Sequence, residues 1–307
     1  MKLPIETVDL GKRYGNLAAV EHLSLRVTEG EIYAFLGLNG AGKTTTIRML
    51  LGMIKPTTGS AYVLQSRVQL GSKVPWASVG YLVEIPHAYP ELTVWENLEI
   101  SRRLHPGTAR SSVSQIIERL GLSAYADRRA AILSQGNSQR LGLAKALLHN
   151  PKLIFLDEPA NGLDPAGIVE IRELLLELTR KQGVTIFMSS HILAEVSRLA
   201  RRIGIIHNGH LLQEMSIDEL EQNRRRRILI QVRKVEAARQ VLVSKGHPAN
   251  ILSDNFLELN DLKAINQPDE IASLLVQAGT PPMQLIKEEE ELERYFLRLV
   301  GMNGDTK

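Results

Sequence analysis

A glycine-rich segment between a strand-like run and a helix-like run constrains the fold of this chain more than any other feature. Residues 37–44, GLNGAGKT, fit the pattern G-x-x-x-x-G-K-[S/T] at every defined position. Glycines let the backbone curl so that successive N–H groups point at phosphate oxygens, and a helix beginning at Lys43 adds the positive end of its dipole. We expect Lys43 to reach the β- and γ-phosphates of a nucleotide and the Thr44 hydroxyl to bind Mg²⁺. The loop alone does not distinguish a kinase, a GTPase and an ATPase.

A second apolar run ends in two acidic residues. Residues 153–156, LIFL, precede Asp157 and Glu158. Because a buried strand can hold a carboxylate beside Mg²⁺, directly or through a water, the arrangement predicts that role for Asp157. Glu158 follows, where it can orient or deprotonate an attacking water, and this favours hydrolysis over transfer to an organic acceptor. A strand that merely ends in a polar turn is the alternative.

Composition and charge exclude several other classes of site. Hydrophobic residues make up 44% of the chain and charged residues 23%, as in ordinary globular proteins. The formal net charge of +3 gives no reason to expect a nucleic-acid partner. The absence of cysteine excludes disulfides, thiolate zinc sites and cysteine nucleophiles. No run approaches the roughly 18 apolar residues of a spanning helix, and MKLPIETVDL contains no apolar signal core, so we expect a soluble protein.

Strand-like and helix-like runs alternate through the first part of the chain. Residues 5–10 and 23–27 show the alternation of half-buried strands, and residues 90–150 are mostly helical. The apolar run before the two acids and the strand-like residues 184–188 are separated by the helix-like residues 167–181. This order predicts an α/β core of parallel strands, with the helical stretch inserted as a subdomain.

Composition changes near residue 220, where four arginines occupy positions 224–227. We therefore divide the chain into a domain at 1–222 and a smaller α+β domain at 223–307, whose first six elements follow the β-α-β-β-α-β order of a ferredoxin-like unit. We predict strands at 228–232, 251–252, 256–259 and 283–286, and helices at 236–245, 268–277 and 289–300. The arginine run is interpreted as a solvated linker, with contact to anionic lipid or to a partner as the alternative.

Four further segments surround the two motifs. They are KRYG with Tyr14, LSQGN with Ser134 and Gly136, GLD ending at Asp164, and His191 after VTIFMSS. In order and spacing, about the first 220 residues resemble the ATP-binding cassette of ABC transporters. The resemblance implies a P-loop NTPase fold, with a RecA-like core, an antiparallel β subdomain and a helical subdomain at about 90–150. It also implies nucleotide contacts from Tyr14, Asn39, Gly40, Gly42, Lys43, Thr44 and Thr45.

The resemblance assigns a role to each of these segments. Tyr14 would stack on adenine, and Ser134 and Gly136 would bind the γ-phosphate of the ATP held by the other protomer. Asp164 would lie in the loop through which two protomers communicate, and His191 would act with Glu158 in catalysis as the histidine that contacts the γ-phosphate. Taken singly, three of them have a structural alternative: a packing or surface role for Tyr14, a helix N-cap at Ser134, and a structural role for His191. The signature segment also departs from the common LSGGQ form.

One position departs from the family in a way that affects charge. Glu84 stands where the family usually has glutamine, and glutamate there resembles a subset of exporter ATPases for bacitracin and lantibiotic peptides. Glu84 would approach Mg²⁺ or the water and couple the site to the membrane subunit, and residues 85–91 would line the groove that receives a cytoplasmic helix of that subunit. Residues 292–299 resemble the terminal helix of ATPase subunits from ABC-2 type exporters.

Together, these features lead us to expect an ATPase that uses ATP and Mg²⁺ and works at the cytoplasmic side of the plasma membrane. Two copies, or one copy and a paralogous ATPase, would close head to tail and power export of a peptide antibiotic, drug or lipid-like compound. Separately encoded ABC-2 type permease subunits would form the path, and no nucleic acid would be involved. An importer ATPase and a soluble regulatory ATPase remain alternatives. A soluble regulatory ATPase usually carries two cassettes in one chain, whereas this sequence contains one. A DNA-repair cassette would need a long coiled coil, which the sequence lacks.

Overall fold

The computed structural model describes residues 3–69, 71 and 73–301. The chain divides into two compact units, and the boundary in the sequence falls between Asp218 and Glu219. The division predicted from the sequence, after residue 222, lies four residues further on, inside the helix at Ile217–Asn223. No helix in the described part of the chain is both long and apolar enough to cross a membrane.

The first unit combines strands and helices in the alternating order predicted. Its strands are β1 (Ile5–Tyr14), β2 (Leu17–Leu23), β3 (Arg26–Val27), β4 (Ile32–Leu36), β5 (Thr58–Val63), β6 (Ser66–Arg67), β7 (Val79–Leu82), β8 (Leu153–Asp157), β9 (Thr185–Ser190), β10 (Arg202–His207) and β11 (His210–Ser216). Its helices are α1 (Lys43–Leu50), α2 (Val94–Leu104), α3 (Ser111–Arg119), α4 (Gln135–Leu147), α5 (Pro165–Gln182) and α6 (Leu193–Val196), and α7 (Ile217–Asn223) begins here.

A largely parallel sheet forms the centre of the first unit. Its strand order is β11-β10-β4-β9-β8-β7, with β11 antiparallel to β10 and the other pairs parallel. Every residue of β4, β8 and β9 is buried, which explains their nearly unbroken apolar sequences. The register pairs Leu36 with Ser190 and Asp157 with Ser189. The carboxyl ends of these three strands therefore meet at one edge of the sheet.

An antiparallel sheet covers this core, in the order β2-β1-β5-β6 with β3 paired to β1. Buried residues of both sheets share one hydrophobic cluster, in which the rings of Tyr33 and Phe187 stack with centroids 5.5 Å apart. The single strand predicted at 23–27 is wrong. The backbone pairing between β2 and β1 ends at Leu23, because side chains replace the next backbone hydrogen bonds. Thr7 Oγ1 accepts the N–H of Leu25 at 2.9 Å, and Ser24 Oγ accepts a backbone N–H of β1.

The predicted helical insertion between residues 90 and 150 is confirmed as α2, α3 and α4. Helix α2 begins with a capping box, in which Thr93 Oγ1 accepts the N–H of Glu96 and the Glu96 carboxylate accepts the N–H of Thr93. Helix α4 packs against β7 at Gly142, where a Cβ atom would lie 2.7 Å from Leu82 Cδ1. The absence of a side chain at Gly142 therefore sets how closely helix and strand approach.

The second unit is a four-stranded antiparallel sheet with helices. Its elements are β12 (Arg226–Val232), α8 (Val235–Ser244), β13 (Ala249–Ser253), β14 (Phe256–Leu259), α9 (Leu262–Asn266), α10 (Pro268–Gln277), β15 (Pro282–Glu289) and α11 (Leu292–Leu299). The strand order β13-β14-β12-β15 and the predicted β-α-β-β-α-β sequence agree with a ferredoxin-like arrangement. Helix α9, whose N-cap is Asp261, was not predicted. The last helix begins at Leu292 rather than at 289, because β15 continues to Glu289.

The prediction that the arginine run is a solvated linker is wrong. The side chain of Arg224 is only 15% exposed, and its Nε donates to the carbonyl oxygen of Glu290 at 2.7 Å. Arg226 and Arg227 open β12 and lie opposite Glu289 and Glu288 of β15. Arg226 Nε lies 3.3 Å from Glu289 Oε1, and Arg227 Nη2 lies 2.7 Å from Glu288 Oε2. Arg227 Nη1 also lies 2.9 Å from the carboxylate of Glu258 on β14. These arginines are therefore members of a cross-strand charge ladder.

Candidate nucleotide-binding and hydrolysis site

The glycine-rich loop joins the carboxyl end of β4 to α1, which begins at Lys43 as predicted. Gly42 has φ +110°, a conformation that favours glycine, and a Cβ atom there would lie 2.5 Å from the carbonyl oxygen of Ala19 on β2. Within the loop, Asn39 and Gly40 are exposed, and Thr45 is half-buried in the first turn of α1. The loop and the N-terminus of α1 thus present a concentrated array of backbone N–H groups, which suits an anion.

Lys43 is buried at this edge of the sheet, with only 6% of its side chain exposed. Its ammonium group donates to the carbonyl oxygen of Gly37 at 2.7 Å and lies 3.1 Å from Glu158 Oε1. A buried ammonium group needs such partners, because burial without them is strongly unfavourable. The ion pair between Lys43 and Glu158 therefore links the phosphate loop to the acidic residues that follow β8.

Asp157 forms a second bridge between these elements. Thr44 Oγ1 donates to Asp157 Oδ2 at 2.7 Å, while Ser189 Oγ on β9 donates to Asp157 Oδ1. Ser189 also accepts the N–H of Glu158 at 3.0 Å. Ser189 was not predicted from the sequence. The signal that could have identified it is a hydroxyl residue near the end of the apolar strand VTIFMSS. One serine therefore fixes both acidic residues.

Glu158 lies between two basic side chains. Its Oε1 is the atom next to Lys43, and its Oε2 lies 2.8 Å from His191 Nδ1. The backbone at Glu158 is left-handed, with φ +49°, and the buried Gln139 donates to the carbonyl oxygens of Glu158 at 3.4 Å and of Pro159 at 3.1 Å. The carboxylate is thus held at both oxygens, and the strained turn that carries it is anchored to α4.

Glu195, in the short helix α6, is a further acidic residue near this cluster that sequence analysis did not identify. Burial raises the pKa of Glu195, the nearby His191 opposes this rise, and the negative charge of Glu158 adds to it. The acidic cluster is therefore larger than the sequence motifs indicate.

The predicted signature segment forms a separate patch with the loop at 162–164. Ser134 caps α4, since its Oγ accepts the N–H of Asn137 at 3.3 Å. A Cβ atom at Gly136 would lie 3.1 Å from the carbonyl oxygen of Gly162, and Asp164 caps α5 by accepting the N–H of Gly167 at 3.0 Å. Among the described residues, no hydrogen bond or ion pair joins Ser134 or Gly136 to the phosphate loop.

Tyr14 and Glu84 are the two remaining residues that the sequence assigns to the site. Tyr14 ends β1 with an exposed ring, and Lys12 Nζ lies 5.0 Å from the ring centroid. Glu84 follows β7 with a left-handed backbone, φ +60°, and its carboxylate accepts a hydrogen bond from Arg48 Nη2 of α1. Among the described residues, no group of three or more histidine or acidic side chains is arranged to hold a metal ion. Metal binding here would use the neighbouring oxygens of Thr44 and Asp157.

Comparison with known proteins agrees with this geometry. The family model described as "ABC transporter" matches residues 20–161. The bacitracin transport ATP-binding protein BcrA of Bacillus licheniformis is 39% identical over 98% of this chain and 98% of its own length, and its Enterococcus faecalis counterpart is 37% identical over 99% and 98%. A solved ATP-binding subunit of an ABC transporter is 30% identical, with a TM-score of 0.64, over 71% of this chain and 92% of its own. The chain therefore belongs to the ATP-binding proteins of ABC transporters.

Proposed function

We propose that this chain hydrolyses ATP as the energy-supplying subunit of an exporter, with Glu158 as the general base. The observation that carries the proposal is the position of Glu158, whose two carboxylate oxygens face the Lys43 ammonium group and the His191 ring, 3.1 Å and 2.8 Å away. Lys43 also belongs to the phosphate loop, so the base lies beside the residue expected to hold the β- and γ-phosphates. An acid at this place suits activation of water rather than of an organic acceptor.

In the proposed reaction, the oxygen of a water attacks the γ-phosphorus of ATP while Glu158 takes the proton. The bond between the γ-phosphorus and the β–γ bridging oxygen breaks, and the products are ADP and inorganic phosphate. Lys43 and the N–H groups at the start of α1 stabilise the negative charge, and His191 orients the carboxylate or contacts the γ-phosphate. Asn39, Gly40, Gly42 and Thr45 complete the loop around the phosphates, and Tyr14 stacks on adenine.

Mg²⁺ fits the pair formed by Thr44 Oγ1 and Asp157 Oδ2, which are hard oxygen donors 2.7 Å apart. Mg²⁺ typically takes one or two protein ligands together with waters and phosphate oxygens. When bound, it would neutralise charge on the β- and γ-phosphates. Ser189 keeps Asp157 turned toward Thr44.

We propose that two such chains close around the nucleotides, and that Ser134 and Gly136 contact the ATP held by the other copy. Two observations support this. The Ser134 patch is separate from the phosphate loop of its own chain, and a bacterial ABC transporter cassette of 25% identity and TM-score 0.64 is described as dimeric. Asp164 ends the loop whose Gly162 and Leu163 approach Gly136, and it would transmit changes at one nucleotide site to the other. The second copy could be this chain or a paralogous ATPase.

We further propose that the assembly works with separately encoded permease subunits of the ABC-2 type, at the cytoplasmic face of the plasma membrane. Close relatives are named for transport of bacitracin and of a lantibiotic, which supports a peptide antibiotic, drug or lipid-like compound as cargo. Ile85 and Tyr89 are exposed in the segment expected to receive a permease helix. Residues 1–222 would form the ATP-binding domain and residues 223–307 an accessory domain.

The test compares Glu158→Gln with the parent chain. The substitution keeps shape but removes the base, so we expect ATP hydrolysis to fall at least about a hundredfold and an ATP-bound dimer to accumulate on size exclusion. Glu173→Gln, in an exposed part of α5, is the matched control and should hydrolyse ATP at the parent rate. If Glu158→Gln also hydrolyses at that rate, Glu158 is not the base.

The direction of transport needs a second experiment. Cells that express the chain with its membrane subunits should become resistant to bacitracin, and cells with Glu158→Gln should not. Uptake of a solute that depends on the chain would instead identify an importer, and purification from cells as a stable complex without any membrane partner would identify a regulatory ATPase.

A further inference from the structure

Glu84 carries a charge at the border of the nucleotide site, and the structure shows a counter-ion for it. The carboxylate of Glu84 accepts a hydrogen bond from Nη2 of Arg48, which lies on α1. Arg48 lies four residues after Thr44, so the two side chains project from the same face of α1. The ion pair thus links the residue after β7 to the helix that carries the phosphate loop.

The segment that contains Glu84 is also attached to α4. At Gly142 of α4, a Cβ atom would lie 2.7 Å from Leu82 Cδ1 and 2.8 Å from Pro86 Cβ. Three residues further along α4, Lys145 Nζ donates to the carbonyl oxygen of His87 at 2.6 Å, and burial lowers the pKa of Lys145. Residues 82–87 are therefore held by α4 at both ends and by Arg48 at the middle.

The ion pair is too exposed to serve mainly for stability. The side chains of Arg48 and Glu84 are 37% and 46% exposed, and pairs with this exposure contribute little to the free energy of folding. Its position suggests an electrostatic purpose. An unpaired carboxylate next to α1 would repel the phosphates of a nucleotide, whereas an amide at position 84 would not.

On this basis we propose that Arg48 is a positioning residue, which neutralises Glu84 and ties residues 82–87 to the phosphate-loop helix. The inference rests on the proposed function. Because the carboxylate creates the need for a counter-ion, the effect of losing Arg48 depends on the residue at position 84. Arg48 does not touch the reacting atoms in this scheme; it acts through Glu84.

A double-mutant cycle tests this dependence in the full-length chain. The variants are Arg48→Met, Glu84→Gln, the combination of the two, and Arg48→Lys as a rescue that keeps the charge. Arg67→Met, an exposed arginine of β6, is the control. The measurements are the Kd for a fluorescent ATP analogue, which does not depend on hydrolysis, and the KM and kcat for ATP.

We expect Arg48→Met to weaken ATP binding and raise KM about five- to tenfold when position 84 is glutamate, with a smaller change in kcat. In the Glu84→Gln background the same substitution should change Kd and KM less than about twofold. Arg48→Lys should keep most of the parent affinity, and Arg67→Met should not alter it. An unchanged melting temperature in Arg48→Met would show that the fold is intact.

Two results would overturn the inference. One is an equal effect of Arg48→Met in both backgrounds, which would mean that Arg48 acts independently of Glu84; the other is no effect in either. Failure of the proposed function has a different signature. The parent chain would then fail to hydrolyse ATP, while the Kd values would still report whether residues 48 and 84 are coupled.

Discussion

Replacing Ser189 with alanine removes one hydroxyl that serves both acidic residues of the site. Ser189 is completely buried, donates to Asp157 and accepts the N–H of Glu158. The substitution leaves a buried carboxylate oxygen and a buried N–H group without a partner. A lost hydrogen bond to a charged group is worth about 1.5–3 kcal/mol and a neutral one about 0.5–1.5 kcal/mol. Since Asp157 keeps its bond to Thr44, we expect a loss of about 2–3 kcal/mol.

For a unit of this size, 1 kcal/mol corresponds to about 2–4 °C in Tm, so the variant should melt roughly 5–10 °C below the parent. Differential scanning calorimetry measures this, and ATP hydrolysis should fall as well because Asp157 and Glu158 lose their common anchor. Ser114→Ala, which removes an exposed hydroxyl within α3, is the matched control and should change stability by less than about 0.5 kcal/mol. A Ser189→Ala protein with parent Tm and parent hydrolysis would refute the assigned role.

Two further predictions concern the phosphate loop and a pair of stacked histidines. Gly42→Ala should abolish binding of a fluorescent ATP analogue, because the added Cβ would lie 2.5 Å from the carbonyl oxygen of Ala19 and φ is +110°; binding at parent affinity would show that the loop tolerates a side chain. Burial and the adjacent His105 ring lower the pKa of His149, although a hydrogen bond to the carbonyl oxygen of Val79 opposes this. Because the pKa of His149 is lower in the folded state, acidification protonates this histidine in the unfolded chain before it does so in the folded one. The stability that His149 contributes is therefore complete above pH about 6.5 and falls as the pH drops toward the folded-state pKa. Melting temperatures between pH 5 and 8 should show this decline in the parent and a weaker one in His149→Gln, and equal declines would contradict it.

Local sequence patterns were sufficient to predict the central strands and the phosphate loop. The sequences of β4 and β8 are continuously apolar because both faces are covered, and parallel strands bring their carboxyl ends together. It followed that Lys43, Asp157 and Glu158 would lie near one another. Strands β7 and β10 were missed, since VGYL and RIGIIH are short or interrupted by glycine and carry weaker patterns.

Interactions between distant parts of the chain could not be predicted. Ser189 meets Asp157 only because β8 and β9 pair in one register, and Arg48 meets Glu84 across 36 residues of sequence. Gln139 lies two residues beyond the signature segment, yet it anchors the turn after Asp157 from another helix. Each contact depends on the tertiary arrangement, and nothing in the adjacent sequence marks it.

The charge ladder of the second unit has a consequence for how that unit folds. Arginines at 224–227 face glutamates at 288–291, about 60 residues later, and the observed register pairs Arg226 with Glu289. A slip of one residue would still place opposite charges together, so the charges attract the two strands without excluding this slip. The alternation of buried Ile228, Ile230 and Val232 excludes it. The ladder thus favours the encounter of β12 and β15, the first and last strands of the unit in sequence. Contacts between such distant segments form slowly, so charge attraction should speed this step, and dissolved salt should weaken the attraction.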